Sequence, residues 1–219
     1  MKKEKKEFVI QKPRLPDRSD LSNDIYGLFR DEDGFYCKLF ENCTIESQNA
    51  EKVSFKQVVF RNVVFKKTVF ERVELEDVRF ENCDLSNLGL GGAIIHRVEF
   101  ENCKMVGLNL GGATIQNTAI DKCNCKYANL RFSLCKRFEA RDSILDFADF
   151  QSSEMVDVRY EDTSMRECQM SGTSLCGIDI STCDIEGIGI RMEDMKGAIV
   201  SPVQAVMAAG MMGLVGKDM

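Results

Sequence analysis

The sequence predicts an all-β fold: a right-handed quadrilateral parallel β-helix closed by a short C-terminal α-helix. Three regularities predict it. Every fifth residue from Phe35 to Val200 is almost always large and apolar, as in Phe55, Phe60, Phe65, Phe70, Leu75, Phe80 and Leu85. Two residues earlier the side chain is small or β-branched, as in Val53, Val58, Val63, Thr68, Val73, Val78 and Cys83. Short strings recur at multiples of 20: Phe40-Glu41-Asn42-Cys43 returns as Phe80-Glu81-Asn82-Cys83 and Phe100-Glu101-Asn102-Cys103, and Gly91-Gly92-Ala93 as Gly111-Gly112-Ala113. A period of five matches neither the 3.6 of a helix nor the 2.0 of a strand. It matches a chain that turns a corner every five residues, with four corners to a coil. The two patterned residues of each quintet then point inward and the other three outward. A single coil cannot stand alone, so coils stack and the open ends need caps.

Residues 1–34 lack the pattern and carry Pro13 and Pro16. They read as a flexible tail and a lead-in, with Ile25, Tyr26, Leu28 and Phe29 covering the first coil. Residues 35–200 form the β-helix, with no break in register between Ile45 and Val200. Within it Gly92, Gly107, Gly112, Gly172, Gly177, Gly187 and Gly197 share one quintet position, which predicts a corner of positive φ there. Phe138 overfills its small slot, but Ala140 beside it gives back the volume. Leu88, Leu108, Ile178 and Ile188 lack such compensation and predict local bulges.

Residues 201–219 cap the chain. Ser201-Pro202-Val203-Gln204 has the chemistry of a helix start: Ser as N-cap, Pro in the first turn, Gln three residues on. The helix should run to about Met212, with Gly213 ending it. It is apolar nearly all round, so one side plugs the last coil and the other needs a partner. The simplest partner is a second copy, which predicts a homodimer through Val203, Val206, Met207, Met211, Met212 and Leu214.

The chain has 219 residues, a net charge of -6 and a pI near 5.1. That balance argues against direct nucleic-acid binding, which needs a basic stripe. It suits a protein that meets a basic surface on a partner. The start of the chain offers only Phe8-Val9-Ile10 as an apolar run, too short for a secretory core. No apolar run is long enough for a transmembrane helix. The reading is a cytoplasmic protein with reduced thiols and no membrane partner. Cys43, Cys83, Cys103, Cys123 and Cys183 share one column. With no His beside them, and set along a line, they read as small apolar fillers rather than as a metal site. His96 is the single His and faces outward with no Ser or Cys nucleophile beside it. The chain is therefore expected to be no enzyme, with no cofactor and no metal.

Charge is uneven along the rod. Residues 41–139 hold 13 acidic and 14 basic side chains, whereas residues 140–200 hold 13 and 5. The acidic half adjoins the predicted dimer helix, so two copies would join their acidic halves into one negative region. Three outward aromatics also stand together: Tyr127 and Phe147 in one column, and Phe132 one corner away. They suit a partner site and equally a surface covered by the chain's own tail.

Four stretches carry a family resemblance: Phe80-Glu81-Asn82-Cys83-Asp84-Leu85-Ser86-Asn87, His96-Arg97-Val98-Glu99-Phe100, Tyr127-Ala128-Asn129-Leu130-Arg131-Phe132, and the tail from Ser201-Pro202-Val203-Gln204-Ala205 to Gly213-Leu214-Val215. From about Phe40 onward the chain resembles the Qnr-type pentapeptide-repeat proteins, which protect DNA gyrase and topoisomerase IV from fluoroquinolones. It is most similar to the loop-free members from Gram-positive bacteria. The resemblance implies a dimeric rod that imitates B-form DNA and lies in the basic saddle of the topoisomerase. It implies partner contacts at Asp142, Asp146, Asp149, Glu154, Asp157, Glu161, Asp162 and Glu167, with Asp179, Asp184 and Glu186 beyond them. Some relatives carry inserted loops that matter for protection, and the unbroken register here leaves no room for one. The alternative is a pentapeptide-repeat interaction scaffold with an unrelated partner, held through Tyr127, Phe132 and Phe147.

Overall fold

A computed structural model of the chain describes residues 8–18, 21 and 27–215. The tube opens with β1 (Gly34–Tyr36), β2 (Leu39–Glu41), β3 (Thr44–Glu46) and β4 (Asn49–Glu51). The next coil holds β5 (Ser54–Arg61), β6 (Val64–Lys66) and β7 (Val69–Glu71). One long face then continues through β8 (Glu74–Glu81), β9 (Ile94–Glu101), β10 (Thr114–Asp121), β11 (Leu134–Arg141) and β12 (Glu154–Glu161). All pairings are parallel and set residue n against residue n+20, as in Ser54 on Glu74 and Phe80 on Phe100. Both β1 and β2 lie on β5, so a long strand bends round a corner and serves two faces. The remaining faces are joined by single bridges such as Asp84 on Lys104 and Asp149 on Gln169.

The corners are uniform. From Cys37 to Glu167, every residue two places after a large inward one takes a left-handed φ, for example Asn42 at 53°, Lys122 at 53° and Gly112 at 68°. Each such non-glycine residue costs about 1–2 kcal/mol in isolation. Here the ladder holds it, as where Lys122 N–H donates to the Arg141 carbonyl at 3.1 Å. The corner pattern lapses at Thr182 and Met192, contrary to the expected unbroken register. At the second of these a helical turn, α1 (Met192–Met195), replaces the corner. Asp194 ties that turn to the coil before it by accepting from Gly172 N–H at 2.8 Å and Arg191 Nε at 2.7 Å. The n+20 spacing survives, since Asp179 still bridges Ile199. The chain then ends in α2 (Pro202–Met211).

The inward pair fills the tube as expected. Phe40, Phe60, Phe80 and Phe100 stack ring on ring at 4.7, 4.7 and 4.8 Å. Phe29 closes that end, with its ring 5.1 Å from Phe35 and from Phe70. Of the other expected covers, Leu28 is exposed, and Ile25 and Tyr26 lie outside the described residues. The bulges expected at the oversized inward residues do not form. Leu88 and Leu108 are buried, and the ladder passes through both, to Asn109 at 3.0 Å and Asn129 at 2.9 Å. Ile178 and Ile188 are likewise buried, with the Ile178 carbonyl still bonded to Ile199 at 2.9 Å and Ile188 N–H closing the usual turn to Ile185 at 3.1 Å. The column cysteines Cys83, Cys103 and Cys123 are free thiols that donate to wall carbonyls, Cys103 to Glu101 at 3.3 Å and Cys123 to Asp121 at 3.2 Å. The Cys123 thiol and burial push the Cys103 thiol up to about 12.

The N-terminal segment does not trail away as a flexible tail. Residues 8–18 run along the corner column Gln57, Asp77, Arg97 and Asn117. In that column Asp77 and Arg97 form a buried bidentate pair, Nε to Oδ1 at 2.5 Å and Nη2 to Oδ2 at 2.8 Å. Arg14 N–H adds a third bond to Asp77, at 2.9 Å. Burial pushes the Asp77 carboxyl up, but the Arg97 bonds and the Arg14 amide outweigh it and hold it below the usual carboxylate range. His96 lies against Arg97 Nη1 at 3.0 Å; burial first, then that charge, push its pKa down.

Two outcomes are expected. In urea denaturation Phe80→Ala should lose about 3–5 kcal/mol by opening the ring stack. Gly112→Ala should lose only about 1–2 kcal/mol, because nothing crowds the new methyl and the backbone alone objects. The second concerns pH. A carboxyl depressed in the folded state stabilises fully above its unfolded pKa of about 3.9, and that gain is lost as pH falls through the lower folded value. The Arg14 amide should keep its hydrogen-exchange protection at about pH 5 and lose it only below about pH 4; loss at pH 5 would contradict the bond to Asp77.

Candidate protein-interaction surface

Stacking at n+20 decides where surface charge is neutralised. Arg61 sits between Glu41 and Glu81, at 3.1 and 2.6 Å. Arg79 pairs with Glu99 at 2.7 Å, Lys104 with Asp84 at 3.2 Å, and Arg141 with Asp121 at 3.1 Å. The first coils therefore alternate sign along their columns. Beyond Arg159, which meets Glu139 at 3.7 Å, cations become sparse: only Arg166, Arg191 and Lys196 follow before Val200. Asp157, Asp162 and Glu167 occupy three successive corners, at φ 53°, 46° and 54°, and Glu154 and Glu161 flank them on β12. All five are exposed, and among the described residues no cation pairs with any of them. They wrap the tube as a band rather than gathering on one face.

The other predicted acidic contacts divide. Asp142 is exposed, with Arg141 4.0 Å away. Asp149 is half-buried and faces Arg131 at 3.6 Å. Asp146 is not a surface group. It is buried, accepts from the Ser164 hydroxyl and from Arg166 N–H at 3.3 Å, and faces Lys126 at 3.3 Å. Asp184 pairs with Arg166 at 2.9 Å; the Glu186 amide first, then that guanidinium, hold its carboxyl below the usual range. Glu186 pairs with the same Arg166. Asp179 is exposed and accepts from Ser181.

Among the described residues, the N-terminal segment 8–18 runs apart from Tyr127 and Phe147. Tyr127 and Phe147 are 58% and 38% exposed and stack at 4.9 Å with 11° between their planes. Phe132 is 65% exposed, with the Arg131 guanidinium 5.4 Å from its ring centre. Their columns are the Tyr127–Phe147 corner and the next one. The segment 8–18 follows the Gln57–Asn117 corner, two corners from Tyr127 and so across the square from it.

At the C-terminal end α2 starts as its sequence predicts. Ser201 Oγ accepts from Gln204 N–H at 3.3 Å, and Gln204 Oε1 accepts from Ser201 N–H at 2.7 Å. Gln204 is also the pin: its Nε2 donates to the Ile180 and Cys183 carbonyls, each at 2.8 Å. Met207, Ala208 and Met211 border the tube end with Ile185 and Ile188. Val203, Val206, Met212 and Leu214 are exposed, and Met207 and Met211 partly so, leaving an apolar face that none of the described residues covers. No helix among the described residues is long and apolar enough to cross a membrane.

Sequence reasoning missed the docked N-terminal segment and the inward turn of Asp146. The Asp77–Arg97 pair was there to be found, since opposite charges 20 residues apart must meet. The contacts of Asp146 with Lys126 and Arg166, each 20 residues away, follow from the same rule; the Ser164 hydroxyl, 18 residues on, is the partner that periodicity does not reveal.

Residues 40–87 match the family of pentapeptide repeats, in eight copies. No curated protein sequence matches the chain. Among solved structures, a trypsin-treated variant of QnrB1, a plasmid-mediated fluoroquinolone resistance protein, is 18% identical over 88% of this chain and 100% of its own, with a TM-score of 0.47. HetL, a pentapeptide repeat protein involved in heterocyst differentiation regulation from the cyanobacterium Nostoc, is 12% identical over 78% of this chain and 91% of its own, with a TM-score of 0.42. Likenesses at this level say nothing of what the chain binds. The five-residue spacing of the pentapeptide repeats matched in residues 40–87 continues toward Val200 apart from the lapses at Thr182 and Met192, and the chain folds as a right-handed parallel β-helix of the pentapeptide-repeat type.

Proposed function

We propose that this chain is a non-enzymatic DNA mimic that binds a type II topoisomerase, DNA gyrase or topoisomerase IV, and protects it from fluoroquinolones. The acidic band carries the reading: five exposed carboxylates that form no ion pair among the described residues, set round successive corners of a rod that ends in an exposed apolar helix face. B-form DNA is likewise a rod that is negative all round, and proteins that grip it do so with basic surfaces in a salt-dependent way. A homodimer through α2 would join two such bands into one negative centre. The sequence resemblance supplies the identity of the partner. The protein works in the cytoplasm, needs no cofactor, and meets no nucleic acid itself.

A second reading, an interaction scaffold for an unrelated partner, is favoured by the stacked and exposed Tyr127 and Phe147. One assay separates the two. Micromolar protein at low salt should inhibit supercoiling by purified gyrase and should spare the enzyme from a fluoroquinolone. Combined Asp157→Lys, Asp162→Lys and Glu167→Lys should weaken this at least about 10-fold, whereas Tyr127→Ala with Phe147→Ala should leave it within about twofold. No effect of the native protein on gyrase at low salt would remove the first reading. Loss through the aromatic pair alone would favour the second.

The dimer has its own check. The native chain should sediment as a dimer at about 10 µM, and Val203→Glu with Val206→Glu should sediment as a folded monomer. A monomeric native chain at that concentration would exclude the joined bands.

A further inference from the structure

We propose that the corner column Gln57–Asp77–Arg97–Asn117 is a binding track for an extended, proline-containing peptide, which the chain fills with its own segment Phe8–Arg18. The contacts that seat the segment are made largely by its backbone. Arg14 N–H donates to Asp77 Oδ1 at 2.9 Å, Arg14 carbonyl accepts from Gln57 Nε2 at 2.9 Å, and Gln11 N–H donates to Asn117 Oδ1 at 3.4 Å. At the ends, Phe8 lies under the Arg159 guanidinium at 4.4 Å and Arg18 meets Glu41 at 3.3 Å. A track that reads the backbone is not tied to one sequence.

The spacing of these contacts is regular. Phe8, Gln11 and Arg14 are three residues apart, and they meet Arg159, Asn117 and Asp77, each about two coils from the next. Two coils rise about 9.6 Å at a strand spacing of about 4.8 Å. Three residues of polyproline II rise about 9.3 Å. The two periods agree, so an extended peptide stays in step with the column over its whole length. Pro13 and Pro16 favour that conformation before docking, which lowers the entropy lost on binding.

The floor is built rather than incidental. Asp77, Arg97 and Asn117 are all more than nine-tenths buried. The Asp77–Arg97 pair fixes the carboxylate that accepts the Arg14 amide. Asn117 Nδ2 is buried with no acceptor, one donor more than the present occupant satisfies. A peptide carbonyl is the group that would complete it. These features point to peptide as the ligand class, and they stand apart from the acidic band and the aromatic pair.

The test cuts the segment free after folding. A protease site inserted between Asp20 and Leu21 allows the tail to be released from the folded protein, which is then titrated with a labelled peptide of residues 8–18. The cut protein should bind it one-to-one with a dissociation constant in the micromolar range, and the uncut protein at least about 10-fold more weakly because its track is full. Arg14→Pro in the peptide removes the donor to Asp77 and should cost at least about 10-fold. Replacing the exposed Lys12 by Ala should change little. No binding to the cut protein up to about 1 mM, equal binding to cut and uncut protein, or an Arg14→Pro peptide as tight as the native one would each overturn the proposal. Hydrogen exchange on the uncut, full-length chain gives a second reading: rapid exchange of the Arg14 amide at neutral pH would overturn it as well.

Discussion

Parallel stacking of each residue on the one 20 positions further along is the constraint from which the rest of the molecule follows. It turns a sequence into columns. Inward columns must hold side chains that pack on their own kind, and the ring stack from Phe40 to Phe100 is the result. Corner columns must hold residues that tolerate a left-handed φ, and the ladder keeps even Tyr127, Phe132 and Phe147 there. Outward columns place like beside like unless charge alternates along them. Acids and bases are balanced in the N-terminal coils, whereas acids outnumber bases in the C-terminal ones, and that difference of sequence becomes a difference of surface charge along the rod.

A tube packed in this way has little interior left for chemistry. Its buried thiols are bonded to wall carbonyls, as at Cys103, or to neighbouring side chains, as where Cys125 meets Met105 Sδ, and burial and neighbouring thiols raise both. Recognition therefore falls to the outside, where three features differ from an ordinary solvated wall: the acidic band, the aromatic pair and the free face of α2. The band and the helix lie toward the same end, which is what links charge to assembly in the proposed function. The aromatic pair sits apart from the peptide segment, so the two surfaces can be occupied independently.

Much of this was legible in the residues because the period is so regular. Every fifth apolar residue fixes the faces, and glycine at one quintet position marks the corners. What was not legible lies where one column answers to another. Leu88 looked too large for its slot, yet it is buried with the ladder intact through its carbonyl. Asp146 looked like exposed charge by position, yet the Ser164 hydroxyl, from the neighbouring column, joins Lys126 and Arg166 of its own column in burying it. The helical turn at Met192 keeps the repeat spacing while changing the backbone, because Asp194 can bond both Gly172 and Arg191. The N-terminal segment carries no repeat at all; its place is set by the pitch it shares with the column beneath it, a quantity that appears only once the coils are stacked.

The central claim is that a topoisomerase takes this rod for DNA. Competition on purified gyrase tests it most directly: a short duplex is held on the enzyme, the protein is titrated in, and retained duplex is measured at two salt concentrations. The account predicts mutually exclusive binding, with displacement weakening as salt rises. A stable complex holding enzyme, duplex and protein together would contradict it.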